Sequence, residues 1–264
     1  MTAVCKRLAA GTVLLMAFMA GPVCADPAAR GLEIAREAER RDQGFGDSQA
    51  AIRMVLKNRH GEESTREMRT RTMEVEGDGD KLFIIFDTPR DVYGTAFLSF
   101  THINEPDDQW LYLPALKRVK RISSNNKSGP FVGSEFAYED LVSQEVDKYT
   151  YKYLRDETLD ATACFVVERY PAYEHSGYTK QIVWFDHTEY RPQKVEYYDR
   201  KDELLKTLTF RDYQQYRDQF WRAGEMFMQN HQTSKSTLLV WSGYEFQNGF
   251  TDRDFDTNSL KRAR

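Results

Sequence analysis

Cysteine is scarce in this chain of 264 residues: only Cys5, Cys24 and Cys164 occur. The first two lie in an N-terminal segment with the features of a signal peptide, so the rest of the chain keeps one cysteine and cannot form an internal disulfide. Its fold must be held by the core alone. A chain of this length can bury roughly 70% of its unfolded surface, which makes a single domain over residues 26–264 feasible.

Recognisable catalytic and metal-binding motifs are also missing. The five histidines are scattered, with no spacing typical of zinc, so no metal ligand set is predicted. The sequence around Ser134 lacks the flanking glycines of a nucleophile elbow. Asp107 and Asp108 stand side by side as in a solvated turn, and Cys164 lies in an apolar strand. We therefore expect no enzyme activity and no cofactor, with a lipid-modifying hydrolase as the least favoured alternative.

A long apolar run occurs only once, from Leu8 to Ala20, and it follows Lys6 and Arg7. A basic start, a short apolar core and small residues at the −3 and −1 positions are the layout of a secretory signal peptide, so we expect cleavage after Ala25. The run is shorter than the roughly 20 residues of a spanning helix. The mature protein is therefore expected to be exported to the periplasm without its first 25 residues.

Cys24 raises the alternative of a lipidated cysteine at the end of the apolar run. Residues 21–23 read Gly-Pro-Val and do not give the Leu-small-small pattern that such processing needs, so soluble export is favoured. The formal net charge is −4, and removing residues 1–25 takes away two cations and no acid. An acidic chain does not favour nucleic acid as a partner.

Periodic hydrophobicity fills the rest of the chain. Residues 28–42 have apolar positions at helical spacing and predict one amphipathic helix. Beyond Gly46 the period changes to two, and the short links between runs predict roughly a dozen antiparallel strands. Residues 82–86 are apolar on both faces, so we expect the N-terminal helix to cover one of them.

Three stretches carry a resemblance to a known family: residues 91–100 (DVYGTAFLSF), 108–122 (DQWLYLPALKRVKRI) and 133–140 (GSEFAYED). Residues 195–199 (VEYYD) and 251–255 (TDRDF) extend it over nearly the whole mature chain. The sequence resembles the predicted outer-membrane lipoprotein-sorting family of the LolA-like superfamily.

This resemblance implies a mainly β fold with a few helices (α+β): an unclosed antiparallel half-barrel with helices as a lid over an apolar cavity. It implies a periplasmic, non-enzymatic carrier that binds a lipid or the acyl chains of a lipoprotein, in outer-membrane lipoprotein sorting or lipid transport. Candidate partners are those acyl chains, an outer-membrane acceptor and an inner-membrane exporter of the RND type. The alternative is an envelope-sensing or accessory subunit of a hydrophobe exporter that acts through protein–protein contacts.

Apolar residues of the alternating runs are candidates for the cavity wall. Trp110 and Tyr112 fall on one face of their strand and Leu111 and Leu113 on the other, so one of these pairs should face the concave side. Wall residues of a lipid pocket are core residues without a protein partner on one side, and ordinary sheet core is the alternative interpretation. We predict lipid contacts for Phe83, Ile85, Phe97, Trp110, Tyr112, Val166 and Trp184.

The densest basic cluster lies in residues 117–121. Alternation places Lys117 and Arg121 on one face of a strand and Arg118 and Lys120 on the other. Two interpretations stay open: the cations protect a solvated edge strand from aggregation, or one pair contacts an anionic headgroup or an acidic partner.

Residues 123–134 have the composition of a mobile loop, with Gly129, Pro130 and Gly133 around Phe131. The segment is either a simple connection or a gate over the cavity mouth. In the second case Phe131 and Gly133 are the predicted gate residues.

Overall fold

The computed structural model describes residues 26–263. The predicted signal peptide and its cleavage site therefore lie outside the described residues. Within residues 26–263, no helix is long and apolar enough to cross a membrane.

The described residues begin with a helix and continue as a six-stranded meander. The helix α1 spans Pro27–Asp42. The strands that follow are β1 (Asp47–Lys57), β2 (Glu63–Met73), β3 (Lys81–Thr88), β4 (Ala96–Phe100), β5 (Asp108–Leu113) and β6 (Arg118–Ile122). Successive strands pair antiparallel, as the short links between them predict.

A second meander follows after a segment without strands. Its strands are β7 (Tyr149–Leu159), β8 (Thr162–Pro171), β9 (Lys180–Asp186), β10 (Pro192–Tyr198), β11 (Leu204–Arg211), β12 (Gln214–Tyr216), β13 (Phe220–Arg222), β14 (Glu225–Asn230) and β15 (Ser236–Phe246). β12 and β13 form a separate hairpin between β11 and β14. The chain ends in the short helix α2, Thr257–Arg262.

Thirteen strands form one sheet in the order β6-β5-β4-β3-β2-β1-β15-β14-β11-β10-β9-β8-β7. The two meanders join where β1 pairs antiparallel with β15, with Ile52 opposite Trp241. β6 and β7 are then the two free edges. The architecture is an unclosed antiparallel half-barrel, which confirms the fold class that the resemblance implied.

α1 lies on the inner side of the half-barrel and packs against the edge strand β7. It begins with Asp26, whose side chain accepts the Ala28 N–H at 3.1 Å, and with a proline in the first turn. A Cβ at Gly31 would lie 2.8 Å from the backbone nitrogen of Tyr153, so only glycine permits this close helix–strand contact. The next turn buries Ile34 in the inner core.

Residues 123–148, here called the crossing segment, connect β6 to β7. Because these strands are the opposite edges of the sheet, the segment has to cross the open side of the half-barrel. It carries Phe131, Phe136 and Tyr138 into the inner core, and the ring of Phe131 lies 5.3 Å from that of Phe97 and 5.8 Å from that of Phe86. The segment therefore covers the inner face of the first meander.

Two buried carboxylates fix the middle of the crossing segment. Asp140 forms an ion pair with Lys206 at 2.6 Å and accepts the Tyr178 hydroxyl at 2.8 Å. Glu139 accepts the Gly177 N–H at 2.8 Å, and burial raises the pKa of this glutamate. Buried charged groups need such partners, so these contacts determine where the segment lies.

The outer face of the first meander is covered by the C-terminus. Phe255 and Leu260 pack there against Phe83 and Ile85, and all four are buried. The prediction that the N-terminal helix covers the second face of β3 is therefore wrong, since α1 lies on the inner side at the far edge of the sheet.

Phe131 is 1% exposed, so the prediction of a mobile loop with an apolar tip is corrected by the structure. Val132 and Gly133, with φ of 46° and 79°, turn the backbone after this ring. Arg66 Nη1 donates to the Val132 carbonyl at 2.5 Å and holds the turn. Phe131 is an anchor of the crossing segment.

Replacing Phe131 by alanine should lower the free energy of unfolding by about 3–5 kcal/mol, because it leaves a cavity among three aromatic rings. Urea denaturation measures this change. Leu116→Ala, at a side chain that is 68% exposed, is the control and should stay within about 0.5 kcal/mol of the wild type. Equal stabilities of the two variants would contradict the buried anchor.

Candidate functional site

A cavity of 1310 Å³ lies between α1, the crossing segment and the inner face of the sheet, mainly over the second meander. Its volume exceeds the roughly 300–1,000 Å³ of common ligand sites. It forms because the large rings of the crossing segment fill the interior over the first meander, whereas α1 presents the small side chains of Ala35 and Ala38 over the second. The interior of the half-barrel is thus half filled.

The floor of the cavity is a continuous apolar surface of the sheet. Val195 stands opposite both Val183 and Leu208 in the strand register, so these side chains share one face. Period-two alternation along each strand extends this surface. Its members are Val183, Phe185, Val195, Tyr197, Leu208, Phe210, Met226 and Trp241.

The rim of the cavity is rich in carboxylates. They come from the end of α1, the β2–β3 turn and the crossing segment: Glu39, Asp42, Glu74, Glu76, Asp78, Asp80, Glu145 and Asp147. The five arginines of the wall already have acceptors: Arg40 and Arg41 on Glu37, Arg169 on Gln181, Arg191 on Asp186 and Arg222 on Asp42. The electrostatic environment at the rim is therefore negative.

Asp80 and Glu145 are the two most perturbed carboxylates of the rim. Burial raises the pKa of Asp80 to about 7; a hydrogen bond from Ser143 opposes this effect and repulsion by Glu74 adds to it. Burial likewise raises the pKa of Glu145 to about 7, and repulsion by Asp80 adds to it. Both groups change charge near neutral pH, where the crossing segment meets the β2–β3 turn.

Three polar atoms in residues of the cavity wall are buried without a hydrogen-bond partner among the described residues: Thr70 Oγ1, Trp221 Nε1 and Trp241 Nε1. Unpaired buried groups of this kind are rare in folded proteins. Their concentration at one cavity gives its wall a small unsatisfied polar component beside the apolar floor.

None of the seven residues predicted for the lipid wall lines this cavity. Phe83, Ile85, Trp110 and Tyr112 lie on the outer face around α2, and Val166 and Trp184 form a separate outer cluster. Phe97 is on the inner face but lies beneath Phe131. The assignment of faces is corrected: of the two pairs in β5, Leu111 and Leu113 point inward and Trp110 and Tyr112 outward.

The predicted cations lie on the edge strand β6 and on the turn before it, away from the cavity. Lys117, Arg118 and Lys120 are exposed. Arg121 pairs with Asp108. Lys117 has a φ of 47° and precedes the strand, so it does not share a strand face with Arg121 as predicted.

The described part of the chain offers neither a metal-ligand cluster nor an activated thiol. No cluster of three or more His, Cys, Asp or Glu residues there could hold a metal ion. Cys164 is buried, and burial raises the pKa of its thiol to about 11, which disfavours the nucleophilic thiolate.

The sequence did not reveal the residues that do form the cavity. Alternation predicts strands in this part of the chain, but nothing in the pattern indicates that the inner face of β9, β10 and β11 borders a cavity. The small residues Ala35 and Ala38 on the apolar face of α1 were the available signal. A helix with alanines at its core-facing positions leaves space between itself and the sheet.

Comparison with known proteins identifies several that are similar to this chain in sequence and fold. A family model described as an uncharacterized protein matches residues 78–262. A domain from Vibrio parahaemolyticus, assigned to outer membrane lipoprotein sorting, is 60% identical; the match covers 89% of this chain and 100% of that domain, with a TM-score of 0.88.

Two further solved structures are similar. A DUF1329 family protein from Desulfovibrio piger is 29% identical over 89% of this chain and 99% of its own, with a TM-score of 0.85. A LolA superfamily protein from Nitrosomonas europaea is 18% identical over 87% of this chain and 98% of its own, with a TM-score of 0.70, and supports the fold alone. None of the curated proteins matches the sequence.

The rim carboxylates predict that stability falls as pH rises from about 4 to 7. In this window the folded state holds protons on Asp80 and Glu145 that the unfolded state has lost, because their folded pKa values are raised above the ordinary ones. Asp80→Asn should therefore raise the free energy of unfolding by about 1–2 kcal/mol near pH 8.

The same substitution should give no gain near about pH 4, where the wild-type carboxyl is protonated in the folded protein. Chemical denaturation at both pH values measures the difference. Asp160→Asn, at an exposed hairpin position, is the matched control and should change stability little at either pH. A gain from Asp80→Asn that is independent of pH would contradict the assignment.

Proposed function

The chain belongs to the outer-membrane lipoprotein-sorting family of the LolA-like superfamily, and on that premise we propose that it is a periplasmic, non-enzymatic carrier. Its ligand is a lipid or the acyl chains of a lipoprotein, taken up into the cavity during lipoprotein sorting or lipid transport. The observation that carries this proposal is the cavity of 1310 Å³, whose lining includes the apolar side chains of the floor.

The driving force for uptake is burial of hydrocarbon. Each methylene group that moves from water to the floor contributes roughly 0.8 kcal/mol. An acyl chain also adapts to an irregular cavity, whereas a rigid ligand needs matching polar contacts. A floor of aliphatic and aromatic side chains with few polar groups favours the acyl chain.

Release requires a lid that opens at low cost, and the C-terminal half of α1 has weak attachments. Arg41 pairs with Glu189 at 3.1 Å, with both side chains more than a third exposed, and Asp42 pairs with Arg222. Glu39 accepts the Val146 N–H at 3.1 Å, which links the helix to the crossing segment. The exposed pair of Arg41 and Glu189 contributes about 0–1 kcal/mol, so a partner that binds the ligand more tightly can drive opening.

The periplasmic location rests on two supports. The sequence predicts a signal peptide in residues 1–25, and the similar domain from Vibrio parahaemolyticus is assigned to outer membrane lipoprotein sorting. Candidate partners are an outer-membrane acceptor and an inner-membrane exporter of the RND type.

Filling the cavity from α1 tests the carrier function. Ala38→Trp places an indole into the cavity and should weaken binding of a fluorescent fatty acid by about tenfold or more, because the ring occupies part of the volume of the acyl chain. Ala29→Trp adds the same ring to an exposed position of the same helix and should bind like the wild type. Fluorescence titration measures both affinities.

Native mass spectrometry of gently purified protein identifies what the cavity carries. Co-purified acyl lipid that is lost in Ala38→Trp and kept in Ala29→Trp supports a carrier. A stoichiometric protein partner without lipid would instead support an accessory subunit of an exporter. Equal probe binding by both tryptophan variants would reject the cavity as the acyl site.

A further inference from the structure

Large hydrophobic side chains are exposed at four described positions, and two of these lie at one corner of the sheet. Tyr93 is 49% exposed in the β3–β4 turn, and Leu116 is 68% exposed in the β5–β6 turn. The two turns touch, because a Cβ at Gly94 would lie 3.4 Å from Cγ of Pro114. A single exposed leucine is unremarkable, but a leucine and a tyrosine on adjoining turns form an apolar tip.

Cations surround this tip. Arg90 precedes Tyr93, and Lys117, Arg118 and Lys120 follow Leu116; all four are exposed. None of the four forms an ion pair with a carboxylate of residues 26–263, whereas the neighbouring Arg121 does. These six residues (Arg90, Tyr93, Leu116, Lys117, Arg118 and Lys120) are called the basic corner.

The end of α2 adds charge of the same sign. A Cβ at Gly94 would lie 3.5 Å from the carbonyl oxygen of Ala263, so the last turn of α2 reaches the β3–β4 turn. That turn of the helix carries Lys261 and Arg262, both exposed, and Arg262 pairs with Asp256 at 4.0 Å. Asp91 is the acid within the β3–β4 turn, and the field of its carboxylate acts on Arg66. The corner is thus a local excess of positive charge on a chain whose formal net charge is −4.

We propose that the basic corner docks on the surface of an anionic phospholipid bilayer. Leu116 enters the boundary between headgroups and acyl chains, Tyr93 lies at headgroup level, and the cations contact lipid phosphates. Aromatic residues favour this interface, and basic residues near an anionic surface are attracted to it over about one Debye length. The combination of an apolar tip with unpaired cations distinguishes this surface from a purely protective edge strand.

The position of the corner fixes how the docked molecule is oriented. The β3–β4 turn lies at one end of β3, and the carboxylate rim at Asp78 and Asp80 lies at the other end. An anionic surface attracts the corner and repels the rim. Docking therefore holds the cavity rim away from the bilayer, and it does not depend on what the cavity carries.

Vesicle sedimentation with the full-length mature protein tests the proposal. The probes are vesicles of phosphatidylcholine alone and of phosphatidylcholine with an equimolar amount of phosphatidylglycerol, each at low and at high ionic strength. The wild type should bind the anionic vesicles about tenfold more strongly than the neutral ones, and high ionic strength should remove most of that difference.

Two matched pairs of variants locate the contact. Lys117→Gln/Lys120→Gln and Leu116→Ser should each weaken binding to anionic vesicles by about tenfold. Lys201→Gln/Lys235→Gln makes the same change of charge at exposed positions elsewhere, and Leu204→Ser removes another exposed leucine; both should bind like the wild type. Thermal unfolding of every variant confirms that the fold is retained.

Either of two results would overturn the proposal: the wild type fails to bind anionic vesicles, or the two lysine double variants lose binding equally. The first result would leave the cations of β6 as protection of the sheet edge, or as a contact for an acidic protein. The second result would show that vesicle binding depends on the net charge of the protein and not on the position of the lysines.

Discussion

The buried ion pair between Asp140 and Lys206 is the contact on which the interior of this half-barrel depends. The two side chains are 2% and 4% exposed, and the ammonium group lies 5.2 Å from the ring centres of both Tyr178 and Tyr197. A buried charge that loses its partner costs about 3–5 kcal/mol, so the crossing segment has one favourable position. That position puts three aromatic rings over the first meander, and the cavity lies mainly over the second meander.

The strands were predictable from the sequence because alternation reports burial directly. The helix predicted over residues 28–42 matches α1, and the roughly dozen antiparallel strands predicted from alternation correspond to the thirteen strands of the sheet. Alternation does not say which of two apolar faces points inward. In β3 and β5 both faces are apolar, because α2 covers one and the crossing segment covers the other. Hence Trp110 and Tyr112 were assigned to the wrong side.

The cavity could not be predicted, because it depends on what distant segments fail to fill. Its carboxylates come from α1, the β2–β3 turn and the crossing segment, and no sequence spacing relates Glu39, Asp80 and Glu145. Phe131 lies among glycines, a proline and polar residues, a composition that is typical of an exposed loop. Only the pairing of β1 with β15 brings the opposite edges into place, so that the chain between them has to cross the interior. The small side chains of Ala35 and Ala38 were the local sequence signal for the space beneath α1.

The pairing of β1 with β15 has a consequence for the order in which the fold can form. Within each meander the paired strands are neighbours in the chain, apart from β11 and β14, which flank the β12–β13 hairpin, so each meander can assemble as soon as it has been synthesised. The contact that joins the meanders links the first long strand to the last, about 190 residues apart, and such closure is slow. Before β15 (Ser236–Phe246) has been synthesised, only the crossing segment is available to cover the inner face of the first meander. Asp140 of that segment can form its ion pair with Lys206 only after β11 has been synthesised. A chain truncated before β15 would therefore carry two incomplete sheets with exposed edges. The pairing of β15 with β1 is the step that commits this protein to its native state.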